Sequence, residues 1–176
     1  VLFRSRSQNP KVQINPLIYG GGQERGLRSG TLNVPAIVGL GAAAEISFKN
    51  LPLEAERMMS LRNYVWRKLQ AAIPGVKLNG HPSERSPTNL NITLPVKTDA
   101  ILPRIQKLAV STGSACSSGS MSISHVLAGI GLNAEQAQST IRMSIGRWTT
   151  EEELDQAVSL LSSAIPTQNN VILSAF

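Results

Sequence analysis

The sequence predicts a mixed α/β fold in which helices alternate with short strands. Apolar residues recur every three or four positions along some segments and alternate with polar residues along others, and stretches rich in glycine or proline separate these segments. Apolar residues make up 41% of the 176-residue chain and aromatic residues only 4%. The chain can therefore bury a core, and we expect that core to be mostly aliphatic.

The N-terminal part predicts a strand end, a loop and two helices. Residues 1–4 resemble the end of a buried strand, and a glycine-rich loop follows at residues 20–33. Residues 34–49 are rich in Ala and Gly, which favours a helix packed closely against another element. Residues 52–73 predict a second helix, because Pro52 suits a first turn. The apolar stripe of this second helix consists of Met58, Leu61, Val65, Leu69 and Ala72.

The middle of the chain alternates between strands and helices. Residues 89–94, NLNITL, alternate between polar and apolar and predict a strand. Residues 98–108 predict a helix, which Pro103 weakens. Residues 109–111 predict a short strand that enters a loop of small residues, and residues 125–131 predict a short helix ending at glycine.

The C-terminal part predicts one more strand and a longer helix. Residues 139–145, STIRMSI, alternate as a strand does. Thr150 and Glu153 form the sequence pattern of a capping box at the start of a helix over residues 151–165. The apolar face of that helix consists of Leu154, Ala157, Val158, Leu161 and Ile165. Helices that alternate with these short strands indicate an α/β or α+β layer.

Composition excludes several classes of protein. The net charge is +6, but the basic residues are spread out, with no run of five and no accompanying aromatic motif, so we expect no nucleic-acid partner. No apolar run approaches the roughly 18 residues that a transmembrane helix needs, so we expect no membrane partner. The single cysteine excludes an internal disulfide framework and a cysteine-rich metal site, and it favours a reducing compartment, the cytoplasm.

The first candidate site is the loop Gly20–Asn33, GGGQERGLRSGTLN. Consecutive glycines allow the backbone to approach a ligand closely. Together with Arg25, Arg28, Ser29 and Thr31, exposed backbone amides of the loop predict an anion-binding nest. The loop lacks the GK[ST] of a Walker motif. The alternative is a tight connector before a helix.

The second candidate site surrounds Cys116 in the segment Ser111–Ser122, STGSACSSGSMS. Buried structural cysteines normally have apolar neighbours, whereas this thiol lies among small polar residues. The segment predicts an exposed, reactive thiol, and the alternative is an incidental thiol in a flexible loop. Neither His81 nor His125 has the sequence context of a catalytic partner, so we do not expect a cysteine–histidine protease dyad.

The third candidate site is Arg142 in residues 140–150, TIRMSIGRWTT. An arginine inside a strand loses hydration energy unless it meets an anion. Its guanidinium could bind a carboxylate through two parallel hydrogen bonds. The alternative is an internal salt bridge. Arg147, which follows Gly146 and precedes a helix, is expected to be structural.

These three stretches, in this order, resemble the C-terminal part of the pyridoxal-phosphate-dependent cysteine desulfurases of the NifS/IscS-like group I. GGGQERGLRSGT resembles the family's GGGxExGxRSGT loop, STGSACSSGS its persulfide-cysteine loop, and STIRMSIGRWTTEEELD its C-terminal strand and helix. The resemblance implies a type I aminotransferase-like fold that acts as a homodimer. The implied reaction converts L-cysteine to L-alanine and leaves an enzyme persulfide for iron–sulfur cluster assembly or another sulfur-transfer pathway.

The resemblance also implies roles for individual residues. Cys116 would be the nucleophile that carries the persulfide and could transiently share an iron–sulfur cluster with a scaffold; no resident metal is expected. Arg142 would hold the substrate carboxylate. Thr31, with Gly30 beside it, would contact the cofactor phosphate across the dimer. The implied domains are residues 1–33, the end of the large cofactor domain with its phosphate-side loop; 34–50, a connecting helix; and 51–176, the small domain with the persulfide loop.

The sequence departs from the family in one respect. The Schiff-base lysine of the family lies in an S-x-H-K segment, and none of the six lysines here has that context. The sequence also begins with Val inside an apparent strand, so we expect a fragment or a processed chain that is inactive alone and needs a complementary N-terminal part. The alternatives are a catalytically empty binding or dimerisation module, or another type I pyridoxal-phosphate enzyme such as a selenocysteine lyase.

Overall fold

The computed structural model of the chain describes residues 15–112 and 123–166. Internal contacts divide the chain into two compact units, Val1–Lys49 and Asn50–Phe176. The strand predicted at residues 1–4 and the candidate nucleophile Cys116 lie outside the described residues.

A single long helix replaces the two helices predicted on either side of Pro52. This helix, α1, runs from Val34 to Ala72 and contains Pro52 in its interior. The prediction of a helix start at Pro52 is therefore wrong. A proline removes one main-chain hydrogen bond, while the turns before and after it keep theirs, so the helix continues through the proline. Ahead of α1, residues Gln23–Gly26 form a 3-10 turn inside the glycine-rich loop.

The second unit is built on a four-stranded antiparallel sheet. Its strands are β1 (Lys77–Leu78), β2 (Asn89–Thr93), β3 (Ser111–Thr112) and β4 (Thr140–Ser144). The spatial order is β1-β2-β4-β3, and all three pairings are antiparallel. The strands predicted at residues 89–94 and 139–145 are therefore confirmed, and the strand predicted at 109–111 lies slightly later. The two-residue strand β1 was not predicted, because it is too short for a period to show.

One face of the sheet is apolar and covers the core. Leu90 pairs with Met143 and Ile92 with Ile141 across β2 and β4, and all four side chains are buried. They belong to one cluster with residues of α1 and of the last helix. The fully buried members from these two helices are Val65 and Leu69 of α1 and Leu161 of the last helix. Because side chains alternate along a strand, the polar residues of β2 and β4 lie on the opposite face.

Four helices follow α1 within residues 73–112 and 123–166. They are α2 (Thr98–Ile101), which continues as a 3-10 turn over Leu102–Arg104, α3 (His125–Gly129), α4 (Ala134–Gln138) and α5 (Glu151–Ala164). The helix predicted over residues 98–108 is thus much shorter, since Pro103 has no N–H to continue it. The helix α4 was not predicted, although its capping box at Asn133 and Gln136 is readable in the sequence.

The capping box predicted for α5 is confirmed. The Glu153 N–H donates to Thr150 Oγ1 across 3.3 Å, and the Thr150 N–H donates to Glu153 Oε2 across 3.0 Å. Across the described parts of the chain, none of the helices combines the length and the apolar character needed to span a membrane.

Candidate functional site

Arg142 lies at the centre of a polar row that crosses the sheet. In β4, its Cα partners are Asn91 of β2 on one side and Ser111 of β3 on the other. Its neighbours in sequence, Ile141 and Met143, are buried on the core face, which places the exposed Arg142 on the polar face. Arg142 Nη2 donates to Ser111 Oγ across 3.5 Å, a long hydrogen bond.

The Arg142 guanidinium is not neutralised by a carboxylate among residues 15–112 and 123–166. The ion pairs found in these residues are Glu45–Lys49, Lys68–Asp155 and Glu54–Arg147. The internal salt bridge, which was the alternative for Arg142, is therefore not formed within the described residues. A cationic fork that keeps its donors for an incoming group can bind a carboxylate through two hydrogen bonds.

A groove of about 750 Å³ opens on this polar face. Its lining includes Arg142, Asn91 and His125. It also includes Thr112 and Ile123, the last residue described before the segment 113–122 and the first described after it. Both ends of the segment that contains Cys116 are thus attached to the wall of the groove that holds Arg142.

A network of hydrogen bonds links residues of the groove wall to residues behind it, and it was not predicted from the sequence. Asn79 Nδ2 donates to Asn91 Oδ1 across 2.8 Å, and the Thr93 hydroxyl donates to Asn79 Oδ1 across 2.9 Å. The fully buried Thr140 lies 3.1 Å from Thr93, oxygen to oxygen, and donates to the Gln136 carbonyl across 2.8 Å. The alternation of NLNIT places Asn91 and Thr93 on one face of the strand, but it could not show which residues their side chains bond to.

The loop between β1 and β2 is fastened by two arginines. Arg85 donates to the carbonyls of Asn79 and His81, and Arg62, which is only 4% exposed, donates to the Ser86 carbonyl across 3.2 Å. Partial burial, with the positive charge of Arg62 as a second cause, lowers the pKa of Arg85 below its ordinary value. His81 Nδ1 accepts the Glu84 N–H across 2.8 Å, so this histidine shapes the loop. These hydrogen bonds stabilise the loop that follows Asn79, a residue of the groove lining.

Arg147 belongs to a brace behind the site. It pairs with Glu54 across 2.5 Å, while Arg57 donates to the carbonyls of Arg147 and Thr149 across 3.0 and 2.6 Å. These contacts hold the turn after β4 against α1. The structural role expected for Arg147 agrees with this arrangement.

The glycine-rich loop of the first unit is held by its own side chains. The Gly30 N–H donates to Gln23 Oε1 across 2.9 Å, and Arg28 donates to the carbonyls of Gly30 and Thr31 across 3.1 and 3.2 Å. Arg28 therefore stabilises the loop, where an anion-binding role was expected. Gly30 has φ +100°, a conformation that glycine adopts far more readily than other residues.

Thr31 presents a hydroxyl group on the surface of this loop. Its side chain is exposed, and none of the hydrogen bonds found among the described residues uses its hydroxyl. Arg28 donates to the carbonyls before and after the Thr31 side chain, those of Gly30 and Thr31, so the backbone that carries the hydroxyl is held in place. The Gly30 N–H is already bonded to Gln23, so it is not available to a ligand. The contribution of Gly30 is its positive φ, which sets the turn before Thr31.

The chain was compared with known proteins. The family profile "Aminotransferase class-V" matches residues 6–157. Cysteine desulfurase IscS of Rickettsia typhi is 46% identical over 159 residues, which cover 90% of this chain and 39% of that protein. The corresponding protein of Rickettsia prowazekii is 45% identical over the same coverage.

Solved structures give the same result for the fold. The NifS-like protein from Rickettsia africae superposes with a TM-score of 0.73 at 31% identity, over 87% of this chain and 40% of that one. A second NifS-like protein gives a TM-score of 0.72 at 34% identity, over 88% and 40%. The chain thus spans about two fifths of the length of these relatives. It has their mixed α/β fold and belongs to the aminotransferase class-V family.

Proposed function

We propose that this chain supplies the small domain and part of the cofactor site of a cysteine desulfurase, an enzyme that converts L-cysteine to L-alanine and keeps the sulfur as a persulfide on Cys116. The observation that carries the proposal is the groove on the sheet. It combines an arginine without a carboxylate partner among the described residues and both attachment points of the Cys116 segment. The sequence relatives named cysteine desulfurase support the same assignment.

In this proposal Arg142 binds the carboxylate of L-cysteine. Its guanidinium matches the planar geometry of a carboxylate, which a lysine ammonium does not. Ser111, on the neighbouring strand, keeps the arginine side chain within the groove. Only a few covalent bonds separate the carboxylate of L-cysteine from its sulfur. Binding the carboxylate therefore restricts the position of the sulfur as well.

Cys116 attacks the substrate sulfur as a thiolate. A sulfur–sulfur bond forms, the carbon–sulfur bond of the substrate breaks, and the carbon keeps the electron pair and takes up a proton to give L-alanine. Cys116 is four residues from Thr112, so its Cα lies within about 14 Å of Thr112 even with the chain fully extended. That tether keeps the thiol within range of the groove wall while leaving reach toward a sulfur acceptor, either an iron–sulfur scaffold or another thiol.

Pyridoxal phosphate, which the class-V family implies, would act as the electron sink of this reaction. Thr31 would hold its phosphate through the exposed hydroxyl, supported by Gly30. None of the six lysines has the S-x-H-K context of the family, so we place the Schiff-base lysine outside these residues. The working enzyme would then be a homodimer, or this chain with a complementary N-terminal part. The single cysteine supports a cytoplasmic location.

The test is Cys116→Ser in the complete desulfurase that carries this sequence. We expect the absorbance of the bound cofactor to remain as in the wild type and sulfide release from L-cysteine to be lost. Arg142→Ala is the companion variant, expected to retain Cys116 reactivity toward a small alkylating reagent while losing substrate affinity. Normal turnover by Cys116→Ser would overturn the proposed reaction.

A further inference from the structure

Asn91 lies directly opposite Arg142 in the β2–β4 pair, and both residues line the groove. Directly opposed residues of an antiparallel pair have Cβ atoms about 4.5–5.5 Å apart. Asn91 is half-buried, and it carries no charge that would compete with an anion for the guanidinium. A small ligand held by Arg142 is therefore within reach of the Asn91 side chain.

The hydrogen bonds behind Asn91 determine which end of its amide is occupied. The Gln136 carbonyl can only accept, so the Thr140 hydroxyl donates its single proton there. The Thr140 hydroxyl then has no proton left for Asn79, so it accepts from the Asn79 amide nitrogen, 3.5 Å away. That nitrogen also lies 2.8 Å from the Asn91 amide, so the atom of Asn91 that faces it is the oxygen, Oδ1.

Thr93 supports the same orientation from the other side. Its hydroxyl donates to Asn79 Oδ1 across 2.9 Å, which requires an oxygen at that end of the Asn79 amide. With Oδ1 of Asn91 turned toward Asn79, its amide nitrogen makes no hydrogen bond among residues 15–112 and 123–166. The hydrogen bonds of Asn79 thus hold the Asn91 amide so that its two N–H groups remain available. They lie beside Arg142, which has no carboxylate partner among those residues.

We propose that Asn91 is a second ligand of the substrate carboxylate, with its amide nitrogen donating to one oxygen while Arg142 holds the group. The inference rests on the proposed function, because it assigns Asn91 to the same carboxylate. Asn79 is then a positioning residue, since its nitrogen holds Oδ1 of Asn91 and so keeps the donor end free. An aspartate at position 91 would keep the bond from Asn79 but would pair with Arg142 and repel the ligand.

The experiment is calorimetric titration of the complete, cofactor-loaded desulfurase with two ligands. L-Alanine carries the carboxylate and has no sulfur to lose, whereas ethylamine lacks the carboxylate. We expect Asn91→Ala to weaken L-alanine binding by about tenfold or more, the usual cost of losing a hydrogen bond to a charged group, and to leave ethylamine binding unchanged. Asn91→Asp should weaken L-alanine binding further. Ser144→Ala, on the same face of β4 but away from Asn91, is the control and should change neither.

The outcomes separate this inference from the proposed function. Wild-type L-alanine affinity in Asn91→Ala, combined with a large loss in Arg142→Ala, overturns the role of Asn91 and leaves the carboxylate site standing. An equal loss for both ligands in the two Asn91 variants also overturns it, because the residue would then be structural. If Arg142→Ala binds L-alanine normally, the carboxylate site is wrong and the role of Asn91 is overturned with it.

Discussion

Arg142 and Arg147 are five residues apart in one motif, yet their surroundings differ. Arg147 pairs with Glu54, and the Arg57 side chain bonds the Arg147 and Thr149 carbonyls, so the charge of Arg147 is used inside the fold. Among the described residues, Arg142 makes one long hydrogen bond, to the Ser111 hydroxyl, and it lines the groove. An arginine is thus a structural brace where the fold supplies a carboxylate, as Glu54 does for Arg147. Arg142 has no carboxylate partner among the described residues, and this difference is the basis of the proposed carboxylate site.

The largest expected effect concerns substrate binding by Arg142. In the complete desulfurase, Arg142→Ala should cost about 2–5 kcal/mol of L-cysteine binding, because the charge-assisted hydrogen bonds to the substrate carboxylate are lost. The apparent Michaelis constant for L-cysteine measures this loss. Arg142→Lys should recover only part of it, since lysine lacks the two-pronged geometry.

Arg147→Ala is the matched variant for that measurement. It should leave the Michaelis constant near the wild-type value, because its partner is Glu54 in α1. If Arg147→Ala loses L-cysteine binding while Arg142→Ala keeps it, the two assignments must be exchanged.

A smaller effect is expected on stability from the brace. Arg57→Ala removes two hydrogen bonds to main-chain carbonyls and should lower the free energy of unfolding by about 1–2 kcal/mol. Urea unfolding of the chain measures it. Arg67→Ala, on the same helix, is the control, because Arg67 is exposed and forms no hydrogen bond or ion pair among the described residues. Equal unfolding midpoints for the two variants would show that the brace is not stabilising.

The smallest effect concerns an exposed ion pair between α1 and α5. The Tyr64 hydroxyl donates to Asp155 Oδ1 across 2.9 Å, and Lys68 Nζ lies 3.2 Å from the same oxygen. These contacts, that of Tyr64 first, lower the pKa of Asp155 below its ordinary value. A lowered carboxyl pKa stabilises the folded state above the unfolded pKa, and this contribution is lost as the pH falls below about 4.

The variant Tyr64→Phe tests the direction of this pH dependence of stability. Its unfolding midpoint should lie below that of the wild type at pH 7, and the gap should narrow as the pH falls through the lowered pKa of Asp155 and the carboxylate takes up a proton. The raised pKa of Lys68, due first to Tyr64 and then to Asp155, acts only in the alkaline range. A gap that stays constant between pH 7 and pH 3 would show that the charge of Asp155 is not involved.

Much of the fold could be predicted because local patterns agree with local structure. The alternation of NLNIT and TIRMS reports which side chains share a face, and the capping box at Thr150 reports a helix start. The predictions failed where local signals were weak or ambiguous. Pro52 is compatible both with a first turn and with a helix interior, and two residues of β1 show no period.

By itself, the sequence determined the family, the two main strands, the last helix and the candidate residues Arg142, Thr31 and Gly30, since each depends on neighbours along the chain. The tertiary structure decided which charges are paired, and it brought Asn79, Asn91 and Ser111 to the row that contains Arg142. These residues lie between 31 and 63 positions away from Arg142 in the chain. Strand order and register set such contacts, and a pattern along a single strand carries no information about which strand will lie beside it.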